Sequence, residues 1–180
     1  MVAHATPRLL TRAEYARMAE LGFFADERVE LIHGTVVRMA PIGTGHCDVV
    51  DVCLELFVSR LVGRATVRIQ APFLAHDESE PEPDLAIVPR RRYTDRHPHE
   101  AFLVIEVADS SLTYDRHTKA PLYAASGVPE YWIVDVVGRA IEVYRQGSGD
   151  RYAVHERVTA GSVRPEAFPD VELRLAELFP

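Results

Sequence analysis

Ala101-Phe102-Leu103-Val104-Ile105-Glu106-Val107-Ala108 is nearly continuous in apolar character. A run of this kind reads as a strand covered on both faces, at the centre of a sheet flanked by helices. Its one charged residue, Glu106, shares a face with Phe102, Val104 and Ala108. An ionised carboxylate among such neighbours is costly without a cation or strong donors. Three explanations are open: a metal ion, a salt bridge, or a place near the strand end where water reaches.

Two residues on either side of this stretch bear on the choice. Upstream, Asp84 opens a second strand-like run, Asp84-Leu85-Ala86-Ile87-Val88, directly after Glu82-Pro83. If the two strands pair, both carboxylates project from one end of the sheet; otherwise Asp84 is an ordinary turn residue after Pro83. Downstream lies Lys119, the only lysine in a chain whose Lys and Arg total 20. Arginine is a rigid, permanently charged fork, whereas lysine is a compact amine that can help activate a water, so a single retained lysine marks a place where arginine cannot serve, or a chance survivor. Two acids on neighbouring strands plus one amine form the parts list of a metal-dependent phosphodiesterase. Mg²⁺ takes hard oxygen ligands, with one or two carboxylates completed by water and substrate phosphate.

The remaining pattern surrounds these runs with helices and strands in mixture. Thr11-Arg12-Ala13-Glu14 is a capping box, with Leu10, Tyr15, Met18 and Leu21 as an apolar stripe and Gly22 as a stop. Arg28–Ile32 and Thr35–Met39 flank His33-Gly34 as a hairpin. Thr44 is placed to cap a helix with the stripe His46, Val49, Val50, Cys53, Leu54, Phe57 and Leu61. Thr66–Phe73 alternates as a half-buried strand. The helix carrying Lys119 has a difficulty: with Asp115 as cap, Pro121 falls inside it. Either Thr118 is the cap or the helix is distorted. In both cases Tyr123 lies one turn beyond Lys119 on the same side. Strands follow at Tyr131–Val137, Ala140–Tyr144 and Arg151–Arg157, with a short helix over Asp170–Leu178. The expectation is one α/β (mixed α+β) domain over residues 1–180, a mixed central sheet flanked by helices.

At 180 residues, 47% hydrophobic and 26% charged, the chain has the composition of one soluble globular domain. No apolar stretch is long enough to span a membrane, and Met1–Arg8 lacks a secretion signal's apolar core. Cys47 and Cys53 face different ways on a helix and form no disulfide framework, which suits a reduced cytoplasm. The net charge of −7 argues against nucleic-acid affinity spread over the whole surface, but not against a local cluster. No glycine-rich phosphate loop and no Gly-x-Ser-x-Gly turn is present. His97-Pro98-His99 lacks cysteines at zinc spacing and reads as a polar loop.

The segments Glu106–Leu112, Tyr114-Asp115, Lys119, Leu122-Tyr123-Ala124 and, most specifically, Gly127-Val128-Pro129-Glu130-Tyr131-Trp132-Ile133-Val134-Asp135 resemble the Uma-type ("Uma-two") family of bacterial restriction-endonuclease-like proteins. That family is assigned to the PD-(D/E)XK nuclease superfamily. Glu30–Gly34, His46, Pro83-Asp84 and the ending Phe168-Pro169 with Leu175, Glu177 and Leu178 extend the resemblance from about Leu10 to the end. It implies a restriction-endonuclease-like core and a Mg²⁺-dependent DNA endonuclease, with Mn²⁺ a possible substitute. It also implies Asp84 and Glu106 as metal ligands, with the backbone carbonyl of Val107 as a third. The superfamily's lysine would stand at position 108, which is Ala108; the amine shifts to Lys119 on the next helix.

Glu30, His46, Gln70 and Tyr123 are accessory candidates. The first three have ordinary alternatives: an outward strand position, a helix-start histidine and a solvated position. Arg90-Arg91-Arg92, with Tyr93 and Arg96, is either a nucleic-acid contact or a solvated loop. Tyr131 and Trp132 are core or subunit-contact aromatics, and a homodimer is the expected assembly. Two other functions compete: a non-catalytic module on the nuclease fold, and a metal-dependent hydrolase of RNA or small phosphodiesters.

Overall fold

A computed structural model describes residues 6–179; the first five positions of the Met1–Arg8 segment lie outside them. Six strands form one sheet in the order β3 (Ala65–Ile69), β4 (Leu85–Pro89), β5 (Leu103–Ala108), β6 (Glu130–Asp135), β7 (Ala140–Ser148) and β8 (Arg151–Val158). Every neighbouring pair is antiparallel except β5–β6, which is parallel. A parallel pair needs a long crossover, and residues 112–125 supply it. The fold is therefore a mixed sheet with helices, as the pattern predicts.

β5 lies inside the sheet, and all six of its residues are buried. Leu103, Ile105 and Val107 join the core under α2 (Thr44–Leu61), with Val49, Val50, Cys53, Phe57 and Leu61 from that helix. Val104 and Ala108 face the opposite core with Tyr123, Tyr131 and Ile133. Glu106 belongs to this second face by strand alternation. The helix stripe is as expected, although Gly43 rather than Thr44 occupies the cap. Cys47 is exposed and Cys53 buried.

Three local expectations need correction. The capping box at Thr11 forms and starts α1 (Arg12–Glu20), but none of that helix is buried; Leu21 is 59% exposed. α1 lies on the surface, tied by Leu10 N–H to the Gly34 carbonyl and Arg12 N–H to the Asp77 carbonyl. β3 stops at Ile69 because Gln70 adopts φ 42°, which no continuing strand allows. In the tail, Leu173-Arg174 pairs with Ser162-Val163 as a small ribbon, which leaves only Leu175–Leu178 helical.

The expected hairpin is present: β1 (Val29–Ile32) pairs with β2 (Thr35–Arg38) through His33 and Gly34, both at positive φ. β1 is buried at every position. The difficulty at Pro121 is resolved by distortion. A short turn at Leu112–Tyr114 runs into a π turn at Asp115–Lys119 and then a helix at Ala120–Ala125. In the π turn Ala120 N–H bonds to the Asp115 carbonyl, five residues back. Pro121, which has no N–H, then falls at the start of the regular helix, where none is needed.

Candidate active site

Leu85 pairs with Ile105 across β4 and β5, so Asp84 sits beside Glu106 at one end of the sheet. The two strands lock the acids together. Asp84 N–H donates to Glu106 Oε2 at 3.3 Å, and Val107 N–H donates to Asp84 Oδ2 at 2.8 Å. Both side chains are nearly buried. The helix crossing that face adds two donors to Glu106 Oε1: Lys119 Nζ at 3.2 Å and the Tyr123 hydroxyl at 2.8 Å. The one-turn spacing of Lys119 and Tyr123 aims both at the same oxygen.

The hairpin supplies a further carboxylate. Glu30 is buried, not outward-facing, and its Oε2 lies 2.6 Å from Lys119 Nζ. His46, in the first turn of α2, places Nε2 2.9 Å from Asp84 Oδ1, and Gln70 Nε2 reaches the same oxygen at 3.4 Å. The accessory candidates Glu30, His46 and Gln70 thus all converge on the site. The backward kink at Gln70 that ends β3 is what brings its amide near Asp84.

A cleft of about 350 Å³ opens over this group. Glu30, Glu82, Asp84, Glu106, Asp109 and Asp115 line it, against the fixed cations Arg28, Arg38 and Lys119. Carboxylates therefore outnumber cations. Burial pushes Glu106 up to about 8, and the nearby Asp84, Asp115 and Glu30 oppose the relief from Lys119. Burial likewise raises Asp115 to about 6, against a 2.5 Å hydrogen bond from the Ser111 hydroxyl and the charge of Lys119. Burial alone would depress Lys119, but Glu106 and Glu30 outweigh it and hold the amine charged. The hydrogen bond to Asp84 raises His46.

Among the described residues no group of three or more His, Cys, Asp or Glu side chains forms a ready metal cage. A magnesium ion does not require one, since one or two carboxylates with water and phosphate suffice. Hard oxygens from Asp84 and Glu106 in a cleft with surplus negative charge fit such an ion, which would offset that charge.

Among the cleft residues to which the sequence assigns no site role are Tyr114, quoted only within the family resemblance, and Asp115, weighed there and as a helix cap. Both line it. Their signal was positional, since they share a helix with Lys119, but only the π turn decides which residues of that helix face inward. Other expectations fall elsewhere. Arg90, Arg91 and Arg92 are exposed at the far end of β4 from Asp84, about 17–20 Å along the strand. Tyr131 and Trp132 are fully buried, so the aromatics on which a homodimer was expected offer no surface to a partner. Among the described residues no helix is long and apolar enough to cross a membrane.

Comparison with known proteins agrees with this architecture. A crystal structure of a putative nuclease of the DUF820 group from Anabaena variabilis superimposes with a TM-score of 0.75 at 16% identity, over 94% of this chain and 97% of that one. At that identity the likeness concerns the fold. No curated protein matches the chain. The family model described as "Uma2: Putative restriction endonuclease" matches residues 12–176, nearly the whole chain. With that extent of match, and with the sheet end built from the segments that carry the resemblance, the chain belongs to the Uma2 family.

Proposed function

We propose that this protein is a divalent-metal-dependent endonuclease that hydrolyses phosphodiester bonds in DNA. The observation that carries the reading is the meeting of Asp84, Glu106 and Lys119, from three separate segments, at an open cleft. Asp84 and Glu106, with the Val107 carbonyl, would hold Mg²⁺ or, in its place, Mn²⁺. When bound, the ion polarises the phosphodiester and lowers the pKa of a water. Lys119 holds a fixed positive charge where negative charge develops on the phosphate oxygens. Glu30 and Tyr123 keep that amine and Glu106 in place. His46 and Gln70 orient one Asp84 oxygen. In the hydrolysis itself, water oxygen bonds to phosphorus, the bond to the departing sugar oxygen breaks, and that oxygen leaves with a proton.

A basic surface supports a nucleic acid over a small phosphodiester. Arg68, Arg90, Arg91, Arg92 and Arg96 take part in no ion pair among the described residues, whereas most other arginines meet a carboxylate. Arg68 and Arg91 lie 5.6 and 4.8 Å from the Tyr93 ring centre, and Arg68 is two residues along β3 from Gln70. Guanidinium groups that meet no carboxylate suit phosphates.

A second reading has its own observation. Lys119 already bridges Glu30 and Glu106, and such a closed set could tie hairpin, sheet and helix together in a non-catalytic module. Cleavage of duplex DNA, single-stranded DNA, RNA and bis(p-nitrophenyl) phosphate, each with Mg²⁺, Mn²⁺ or EDTA, separates the readings. The expected result is metal-dependent cutting of DNA that falls about 100-fold or more in folded Asp84→Asn and Lys119→Ala. Failure to cut any of the four, with no Mg²⁺ or Mn²⁺ binding by calorimetry, would favour the module.

A further inference from the structure

Tyr114 Oη is buried, lies in the wall of the cleft, and has no hydrogen-bond partner among the described residues. Buried hydroxyls are almost always paired, so an unpaired one calls for an explanation. The backbone supplies part of it. In a regular helix residue 114 would stack under residue 118. The π turn at Asp115–Lys119 adds one residue to the coil, so Tyr114 stacks under Lys119 instead, and Tyr123 follows one regular turn later. One helical face thus presents a hydroxyl, an amine and a second hydroxyl. The second is spent on Glu106, and the amine on Glu30 and Glu106. Only the Tyr114 hydroxyl remains free.

We infer that Tyr114 is a substrate-contacting residue, whose hydroxyl donates a hydrogen bond to a non-bridging oxygen of the phosphodiester seated in the cleft. The inference rests on the nuclease reading given above. The donor is suited to an anion: burial and the charges of Glu30, Glu106 and Asp115 push the phenol up to about 12, so it keeps its proton at neutral pH. No carboxylate of the cleft lies within hydrogen-bond reach of this hydroxyl. A phosphate oxygen entering over Lys119 would meet it next. The π turn then has a role beyond accommodating Pro121, because it turns three donors to one side where a regular helix would turn two.

The test is Tyr114→Phe, read three ways. Thermal melting reports the fold, fluorescence anisotropy in Ca²⁺ reports affinity for a labelled DNA oligonucleotide, and cleavage in Mg²⁺ reports rate. Because the hydroxyl has no protein partner, the melting temperature is expected to stay within about 2 °C of wild type. Loss of one donor to a charged oxygen is expected to lower kcat/KM about 10- to 100-fold. A drop of many degrees in melting temperature would reveal a protein partner and overturn the inference. So would cutting and binding within twofold of wild type while Asp84→Asn remains inactive, and that outcome leaves the nuclease reading standing. If wild type neither binds nor cuts any nucleic acid, the nuclease reading itself fails and the inference falls with it. Tyr114→Leu serves as a second variant: it must lose at least as much activity as Tyr114→Phe, or the hydroxyl is not the group that matters.

Discussion

Replacing Glu142 by glutamine should weaken the anchor that holds the π turn on the sheet. Glu142 lies on β7, and its side chain is 1% exposed. Arg116, from the π turn, donates through Nε to Oε2 at 3.0 Å and through Nη2 to Oε1. Arg157 on β8 donates to Oε1 at 2.8 Å, and the Tyr144 hydroxyl to Oε2 at 2.8 Å. Burial works against ionisation, but the hydrogen bonds from Arg116 and Tyr144 and the charge of Arg116 outweigh it and bring the carboxyl from 4.5 down to about 2. At 1.36 kcal/mol per pH unit, that difference sets a ceiling of about 3 kcal/mol. Arg116 and Arg157 are 36% and 37% exposed, so solvent screens them, and about 2 kcal/mol is the expected loss at pH 7.

The pH dependence has a definite sign. A depressed folded-state pKa contributes stability that is complete above the unfolded value and disappears as pH falls through the folded one. The gap between wild type and Glu142→Gln should therefore hold from pH 7 to about 4.5 and then close toward pH 2. Urea unfolding at several pH values, followed by the fluorescence of Trp132, the single and fully buried tryptophan, measures it directly. Equal stability of the two proteins at pH 7, or a gap that survives unchanged at pH 2.5, would refute the reasoning.

Lys119→Met leaves Glu30 and Glu106 buried without their shared cation, and should cost about 3–5 kcal/mol in urea unfolding in EDTA; adding Glu30→Gln should recover part of the loss. Gly34→Ala forces a side chain onto φ 71° and into the side chain of Leu9, for a loss of about 1–3 kcal/mol by thermal melting. An unchanged midpoint would mean that Leu9 simply moves aside. Arg68→Ala with Arg91→Ala should flatten the salt dependence of duplex DNA binding, the log–log slope falling by about 0.9 per lost phosphate contact. A slope equal to wild type would remove both arginines from the interface.

Much of the architecture was legible from periodicity because its cause is local. The apolar run at 101–108, the hairpin around His33-Gly34 and the stripe of α2 each follow from side chains that alternate or recur at fixed spacing. Asp84, Glu106 and Lys119 were recognisable because each is an exception in its own setting: an acid at a strand head, an acid inside an apolar strand, and a solitary lysine. Glu30 was harder to place. In a four-residue strand a lone acid reads equally as a solvent-facing residue, and its partner lies 89 positions away. Gln70 was equally ambiguous, since its role depends on a backbone kink that no side-chain pattern announces.

The sequence alone determined the principal strands of the sheet, which face of each is apolar, and which few polar residues interrupt those faces, because these depend on neighbours close along the chain. Only the tertiary structure decided that the interruptions meet. The β4–β5 register sets Asp84 beside Glu106, and the hairpin packs Glu30 under Lys119. The π turn selects Tyr114 and Lys119 as the inward pair. Each of these is fixed by contacts between distant parts of the chain, where one residue of shift in a strand, or one added to a helical turn, changes which side chain faces the cleft.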